Sequence, residues 1–245
     1  ALPIYPDNYD ITKVEGTLTV NPIKDKVTVT ITEHSGTFTY DGTEHTVTGY
    51  DVTSISNPLY FATDFTFSGT ASVSGTDVGT YPMLLVPGDF TNTSANFSNV
   101  EFVIVDGTLS ITKRPVTLTS ESDSKVYDGT ALTNGTVNET GDGWATGEGA
   151  TYDVTGSQTL VGSSANAFTY ALNTDTNPDN YDITKVEGTL TVTKAEIPLI
   201  LTGNSDETMF NGLEQNVTGY TSSGLLTGHT IGSASTLSHE AKGTL

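Results

Sequence analysis

The chain has 245 residues and a formal net charge of −20, with 9 Lys or Arg against 29 Asp or Glu. A field this negative repels phosphate backbones and anionic lipid surfaces, so no nucleic-acid partner is expected. There are no cysteines, which excludes disulfides and Cys-ligated metals, and no apolar run reaches the roughly 18 residues of a membrane-inserting helix.

From the N-terminus, the fifteen residues Pro6 to Val20 matter most, because they recur unchanged at Pro178 to Val192. A diverged copy runs from Asn99 to Ile111. The marker glycines are Gly16, Gly107 and Gly188, giving steps of 91 and 81 residues. That period is too long for a solenoid and has the size of a small domain. Within the segment, apolar Tyr181, Ile183 and Val186, then Leu190 and Val192, stand among polar residues. Such alternation predicts strands with one buried face. An acidic residue followed by Gly between two such runs is a hairpin signal. Each repeat is therefore expected to end in a closing β-hairpin.

Residues 1–21 read as the closing hairpin of a preceding, incomplete repeat. Repeat one covers 22–114. It opens with the alternating strand Val27 to Ile31, carries Tyr40-Asp41-Gly42, and has an apolar, aromatic middle from Asn57 to Phe67. Repeat two covers 115–194. It opens with Val116-Thr-Leu-Thr, carries Tyr127-Asp128-Gly129, and then shows Gly143-Trp-Ala-Thr-Gly-Glu148. Repeat three covers 195–245. Ile197 to Leu201 is its opening strand, Phe210-Asn211-Gly212 replaces Tyr-Asp-Gly, and it lacks its closing hairpin.

Each complete repeat shows about seven short strand-like runs bounded by Gly, Asn, Asp and Ser, the pattern of an antiparallel sandwich. The expected fold is all-β: tandem small Ig-like β-sandwich domains in an extended array, joined by short Pro-containing linkers. A β-grasp-like unit is the alternative, and it needs a helix across the sheet. Leu59 to Phe67 and Gly143 to Gly147 are the places where a helical turn would fit.

Repeats that open on Val-Thr-Leu-Thr, carry Lys125-Val-Tyr-Asp-Gly-Thr130 and close on Asn180-Tyr-Asp-Ile-Thr-Lys-Val-Glu-Gly-Thr-Leu-Thr-Val192 resemble the YDG/MBG-type repeats of large bacterial extracellular and cell-surface proteins. The resemblance covers essentially the whole chain. Departures are Phe210-Asn211-Gly212 for Tyr-Asp-Gly, and Val100-Glu101-Phe102 for Tyr-Asp-Ile. It implies a bacterial cell-surface location and a stalk or adhesin role, without a ligand or an active site.

Chemistry-bearing patterns are sparse. Trp144 beside glycines suggests a sugar-stacking platform. Leu225 holds the same place in the Gly-x-x-Thr-Gly frame, which favours an apolar anchor packed under a loop. Asp175, Asn177 and Asp179 place oxygen ligands at alternate positions, as at the start of a calcium loop. The later Gly and Glu of such a loop are replaced by Asn180 and Val186, so turns capping strand ends are the better reading, with weak Ca2+ binding as the alternative. His34, His45, His229 and His239 share no ligand spacing, and His229, aligned with Glu148, reads as a surface residue. Carboxylate pairs carry no glycosidase signal in so acidic a chain. Sequons at Asn92, Asn96, Asn134, Asn138 and Asn216 arise readily in a Thr-rich sequence. Lys13 and Lys185 lie in the closing strand, but Ile104 replaces them in repeat one, so no shared isopeptide cross-link is expected.

The functional expectation is a non-enzymatic extracellular module of a bacterial surface protein, acting as stalk or spacer or as a fibre-forming segment. A glycan- or mucin-binding adhesin module is one alternative, with a host glycoprotein or glycan held by the loops Asn57–Phe67 or Gly88–Asn99. No cofactor is expected. The other alternative comes from the termini. Gly243 to Leu245 and Ala1-Leu2 match successive positions of Phe168 to Leu172, so one repeat is split between the two ends. A piece of a longer protein or a processed product is expected. Tyr9, Ile11, Val14, Leu18 and Val20 would then complete a third repeat by strand addition, supplied by a continuous polypeptide in the simpler case. The partners are neighbouring repeats or head-to-tail copies of the chain.

Overall fold

The computed structural model describes Pro3, Tyr5, Asp7 and residues 9–231 and 240–243. The described residues are all-β and sandwich-type, with no α-helix and only short 3-10 turns such as Ala62–Asp64 and Pro178–Asn180. The β-grasp alternative fails here, because no helix crosses a sheet. Leu59 to Phe67 holds a single 3-10 turn, and Gly143 to Gly147 holds a β-type turn. The chain divides into two units, Ala1–Lys113 and Arg114–Leu245.

The first unit contains β1 (Val27–Glu33), β2 (Gly36–Thr39), β3 (His45–Thr48), β4 (Tyr50–Ile55), β5 (Phe65–Phe67), β6 (Ser72–Gly75), β7 (Gly79–Pro82), β8 (Phe90–Asn92), β9 (Val100–Val105) and β10 (Thr108–Thr112). Two three-stranded sheets, β4-β1-β9 and β2-β10-β7, form its body, and two-stranded β3-β6 and β5-β8 flank them. In β1 the side chains of Val27, Val29 and Ile31 are buried, while the threonines between them are half-exposed. The β-branched residues suit a pleated surface with one buried face.

The second unit repeats this plan with β11 (Arg114–Ser120), β12 (Asp123–Val126), β13 (Val137–Gly141), β14 (Ala150–Val154), β15 (Gly162–Asn166), β16 (Phe168–Leu172), β17 (Tyr181–Val186) and β18 (Gly188–Thr193). Its sheets are β13-β11-β17, β12-β18-β15 and β14-β16. It also contains β19 (Ile200–Gly203), β20 (Gln215–Thr218), β21 (Tyr220–Ser223) and β22 (Glu240–Gly243), joined as β19-β21 and β20-β22.

The closing segment is not a hairpin. β9 pairs with β1 and β10 pairs with β2, both parallel. Likewise β17 runs parallel to β11, and β18 to β12. Each closing segment is one extended strand that leaves one sheet and enters the next, alongside an opening strand that does the same. The expected turn fails on backbone grounds: neither Gly107 nor Gly188 has the positive φ that a tight hairpin requires. Their role is close approach. A Cβ on Gly107 would strike the carbonyl oxygen of His34, and one on Gly188 the carbonyl oxygen of Ser120.

Where the strands change sheets the ladder is interrupted, and backbone N–H groups need other acceptors. Side chains of the opening strand supply them. The buried Glu33 carboxylate accepts Gly107 N–H at 2.7 Å and Leu85 N–H at 2.6 Å, and Ser35 Oγ accepts Thr108 N–H at 3.1 Å. In the second unit, Ser120 Oγ accepts Gly188 N–H at 3.0 Å, and Ser122 Oγ accepts Thr189 N–H at 2.9 Å. A carboxylate and a hydroxyl do the same work at equivalent positions.

The duplicated segment has two fates. At Pro178 to Val192 it forms β17 and β18, with Leu190 and Val192 0% and 1% exposed. In the first copy, residues 9–20 form no ladder, and Leu18 and Val20 are 91% and 81% exposed. We expect Leu190→Ala to cost about 2–5 kcal/mol in urea unfolding, as for a truncated core leucine. In dilute solution Leu18→Ala should fall within about 0.5 kcal/mol of the parent. Gly188→Ala should be severely destabilising and Gly16→Ala neutral, because nothing lies within 4 Å of a Cβ at Gly16.

Candidate functional site

The Tyr-Asp-Gly motif is a turn built by its own side chains. Asp41 accepts from Thr43 N–H at 2.8 Å and Thr43 Oγ1 at 2.7 Å, and Gly42 has φ 81°. Asp128 accepts from Thr130 N–H at 2.9 Å and Thr130 Oγ1 at 2.8 Å, and Gly129 has φ 83°. In Phe210-Asn211-Gly212 the amide oxygen of Asn211 accepts Leu213 N–H at 3.0 Å, and Gly212 has φ 78°. The departure at Asn211 therefore keeps the physics, because either Asp or Asn can accept the N–H two residues on. Hydrogen bonds from Thr43, with help from His45, lower the pKa of Asp41. The Lys125 ammonium at 2.8 Å, with Thr130, holds Asp128 well below the usual carboxylate range.

Tyr40, which precedes that turn in repeat one, is buried at 4% exposure. Tyr127 packs against the core of Leu132, Leu190 and Val192. Phe210, their counterpart in repeat three, is 75% exposed.

The two loops expected to hold a ligand come together. β5 pairs with β8, so Phe65–Phe67 of one loop and Phe90–Asn92 of the other form one small sheet. Asn92 ties it: its side chain accepts from Tyr60 Oη at 3.0 Å and donates to the Phe97 carbonyl at 2.9 Å. The rings of Phe65, Phe67, Phe90 and Phe102 meet one another at centroid distances of 5.0–5.9 Å, and Tyr50 meets Phe67 and Phe90 edge-on. Burial raises the pKa values of Tyr50 and Tyr60. Most of the aromatic content of these loops is thus a core, with Tyr60, Phe65, Phe90 and Phe97 buried, while Phe61 is 59% exposed. An open depression of about 570 Å3 lies between Pro87–Asn92 and Val100–Phe102.

Trp144 packs edge-on against Tyr181 at 4.9 Å, and its Nε1 faces the Tyr152 hydroxyl at 3.4 Å. Tyr152 in turn donates to Glu139 at 2.6 Å. Loss of solvation, then the Glu139 carboxylate, pushes the Tyr152 phenol up to about 12. His229 is half-buried rather than a free surface residue, with its ring 5.7 Å from Tyr127. His34 contacts the Thr48 carbonyl at 2.7 Å, and His45 stacks on Phe38 at 4.4 Å. His239 lies outside the described residues.

Asn177 caps the turn Pro178–Asn180 by accepting Asp179 N–H at 3.1 Å. Asp175 and Asp179 are exposed. Among the described residues, no group of three or more His, Cys, Asp or Glu side chains is placed to hold a metal ion. Tyr9, Ile11, Val14, Leu18 and Val20 are all exposed and belong to no strand.

The pinning side chains Glu33, Ser35, Ser120 and Ser122, and the tie Asn92, carry no local sequence signal. The acceptors Glu33 and Ser120 lie 74 and 68 residues from the glycines they bind. Comparison with known proteins finds no matching family model, no matching curated protein and no matching solved structure.

Two titrations follow. The Asp128 carboxylate is held below its ordinary value of 3.8, so its contribution is present above that pH and is lost on further acidification. Asp128→Asn should keep the turn, as Asn211 does, and flatten the acid limb of a melting-temperature profile. Asp128→Ala should lower the melting temperature at neutral pH as well. For Tyr152 the contribution is full below its ordinary value of 10.0 and is lost as pH rises toward about 12. In ultraviolet titration, Tyr152→Phe should delete one late-forming tyrosinate and flatten the stability profile over that window.

Proposed function

We propose that this chain is a non-enzymatic repeat module of a bacterial extracellular surface protein, acting as a spacer. One observation carries the reading. The features shared by repeats one and two are those that build the fold: parallel opening and closing strands, a glycine at the sheet change, and a carboxylate-capped turn. The polar groups that pin the crossings and the β5-β8 sheet, Glu33, Ser120 and Asn92, spend their hydrogen bonds on backbone or on a neighbouring side chain. The resemblance to YDG/MBG-type repeats supports the cell-surface location, and the net charge of −20 suits a solvated, non-associating surface.

A glycan- or mucin-binding module is the second reading, favoured by the depression beside Gly88 and Thr91. Against it stands the burial of the neighbouring rings, since sugar stacking needs an exposed ring face. A glycan array and a mucin-binding assay on the 245-residue chain separate the two. The spacer reading expects no specific binding. Specific binding that is lost when Gly88–Asn99 is replaced by a Gly/Ser loop would reject it.

A further inference from the structure

The sequence holds two Asn-Gly pairs, Asn134-Gly135 and Asn211-Gly212. An asparagine before glycine can react with its own backbone. The glycine nitrogen attacks the side-chain amide carbon, and no Cβ on the glycine hinders the approach. Asn211 stands at the turn where repeats one and two carry Asp41 and Asp128. It is the one amide among three carboxylate-type acceptors.

The turn holds that amide in a particular way. Asn211 Oδ1 accepts two hydrogen bonds, from Leu213 N–H at 3.0 Å and from Gln215 Nε2 at 2.7 Å. The first has its counterparts at Asp41 and Asp128. The second stands where His45 meets Asp41 at 3.1 Å. Gln215 Nε2 also donates to the Leu213 carbonyl at 3.4 Å, which fixes its donor end toward the turn. When a nucleophile adds to an amide carbon, negative charge develops on the amide oxygen. Two N–H donors aimed at that oxygen stabilise the charge, as an oxyanion hole does. Asn211 is exposed, and residues 204–214 belong to no strand. Water reaches the site, and the peptide after Asn211 can turn without breaking a ladder. The exposure belongs to the turn itself, since the Asp41 and Asp128 side chains are 42% and 54% exposed.

We propose that Asn211-Gly212 is a self-modification site that deamidates through a cyclic imide. Hydroxide removes the Gly212 amide proton, and the nitrogen adds to Asn211 Cγ. The bond from Cγ to the side-chain nitrogen breaks, that nitrogen takes a proton from water, and ammonia leaves. Water then opens the ring. Attack at Cγ gives aspartate, and attack at the main-chain carbonyl gives isoaspartate. The aspartate product is the residue that the other two turns already use, and it accepts the same N–H. The isoaspartate product lengthens the main chain by one carbon and moves the free carboxylate onto Cα, away from Leu213 N–H. Either product adds one negative charge to the turn.

Asn134-Gly135 is the same dipeptide in a held state. Its Oδ1 accepts Thr136 N–H at 2.9 Å, and its Nδ2 donates to the Glu121 carboxylate at 3.4 Å. Its main-chain carbonyl accepts Asn166 Nδ2 at 2.9 Å, and Asn166 is fully buried. That carbonyl shares one rigid peptide plane with Gly135 N. Turning the nitrogen toward the side chain therefore strips a hydrogen bond from a buried amide, which is costly. The fold frees one Asn-Gly pair to react and restrains the other.

The test is a time course of the full chain at slightly alkaline pH, read by peptide mapping with mass spectrometry and chromatographic separation of the aspartate and isoaspartate products. Asn211 should convert about tenfold faster than Asn134, the effect of a hydrogen bond or two of ordinary net strength. In urea the two rates should converge, because the dipeptide alone then decides. Gln215→Leu should slow conversion at Asn211 by roughly three- to tenfold, the loss of one such donor. Gln215→His should restore it, as His45 serves Asp41 from that place. Both variants should leave the Asn134 rate unchanged, and circular dichroism verifies their folding. Asn211→Asp should release no ammonia at this turn and keep the parent spectrum. The proposal is overturned if Asn134 converts as fast as Asn211 in the folded chain, or if the difference survives in urea. It is also overturned if Gln215→Leu, folded, leaves the Asn211 rate unchanged. None of these outcomes depends on the binding assays that test the spacer reading.

Discussion

The structure depends on one pairing: a closing strand laid parallel to an opening strand while both pass from one sheet to the next. Parallel partners so far apart in sequence must close a long loop before any contact repays the lost entropy. The pairing therefore needs more than a ladder. It gets a glycine at the crossing, a polar side chain on that glycine's N–H, and two apolar residues of β10 or β18 buried in the body of the repeat.

The acceptor chemistry at the crossing tolerates change, while the geometry does not. Glu33 reaches two N–H groups and Ser120 reaches one, donating its own proton to the Asn166 carbonyl at 2.6 Å. Either choice avoids a buried, unpaired donor, which would cost about 1–3 kcal/mol. The glycine has no such freedom, because backbone oxygens occupy the place of its Cβ. The same division holds at the Tyr-Asp-Gly turn. Asp or Asn can accept the hydrogen bond, but all three turns keep a glycine with positive φ.

Repeat one shows how the plan is embellished. The β5-β8 sheet adds Phe65, Phe67 and Phe90 to a cluster that includes Tyr50 and Phe102. Each half of this sheet is entered in the same way. The Asp64 carboxylate accepts Phe61 N–H, and the Asp89 carboxylate accepts Val86 N–H, both at 2.8 Å, just before the strand begins. Leu84, with φ 65°, is the one described non-glycine residue of the chain in the left-handed region. It lies next to Leu85, whose N–H donates to Glu33, so the strained backbone sits beside the carboxylate that serves the crossing.

The sequence by itself determined the all-β class, the repeat and its period, and the buried face of β1 and β11. These follow from local rules: side-chain alternation and β-branching. Only the tertiary structure decided what the closing segment does. Alternation told which face of Leu190 and Val192 would be buried, but not which strand would lie beside them, and Glu-Gly reads as a hairpin until the partner strands are known. The duplicate makes the point within one molecule: residues 181–192 are a double ladder beside β11 and β12, and the identical residues 9–20 form no ladder where no opening strand accompanies them. A strand's hydrogen bonds belong to its neighbour as much as to itself, so its sequence alone cannot fix its structure.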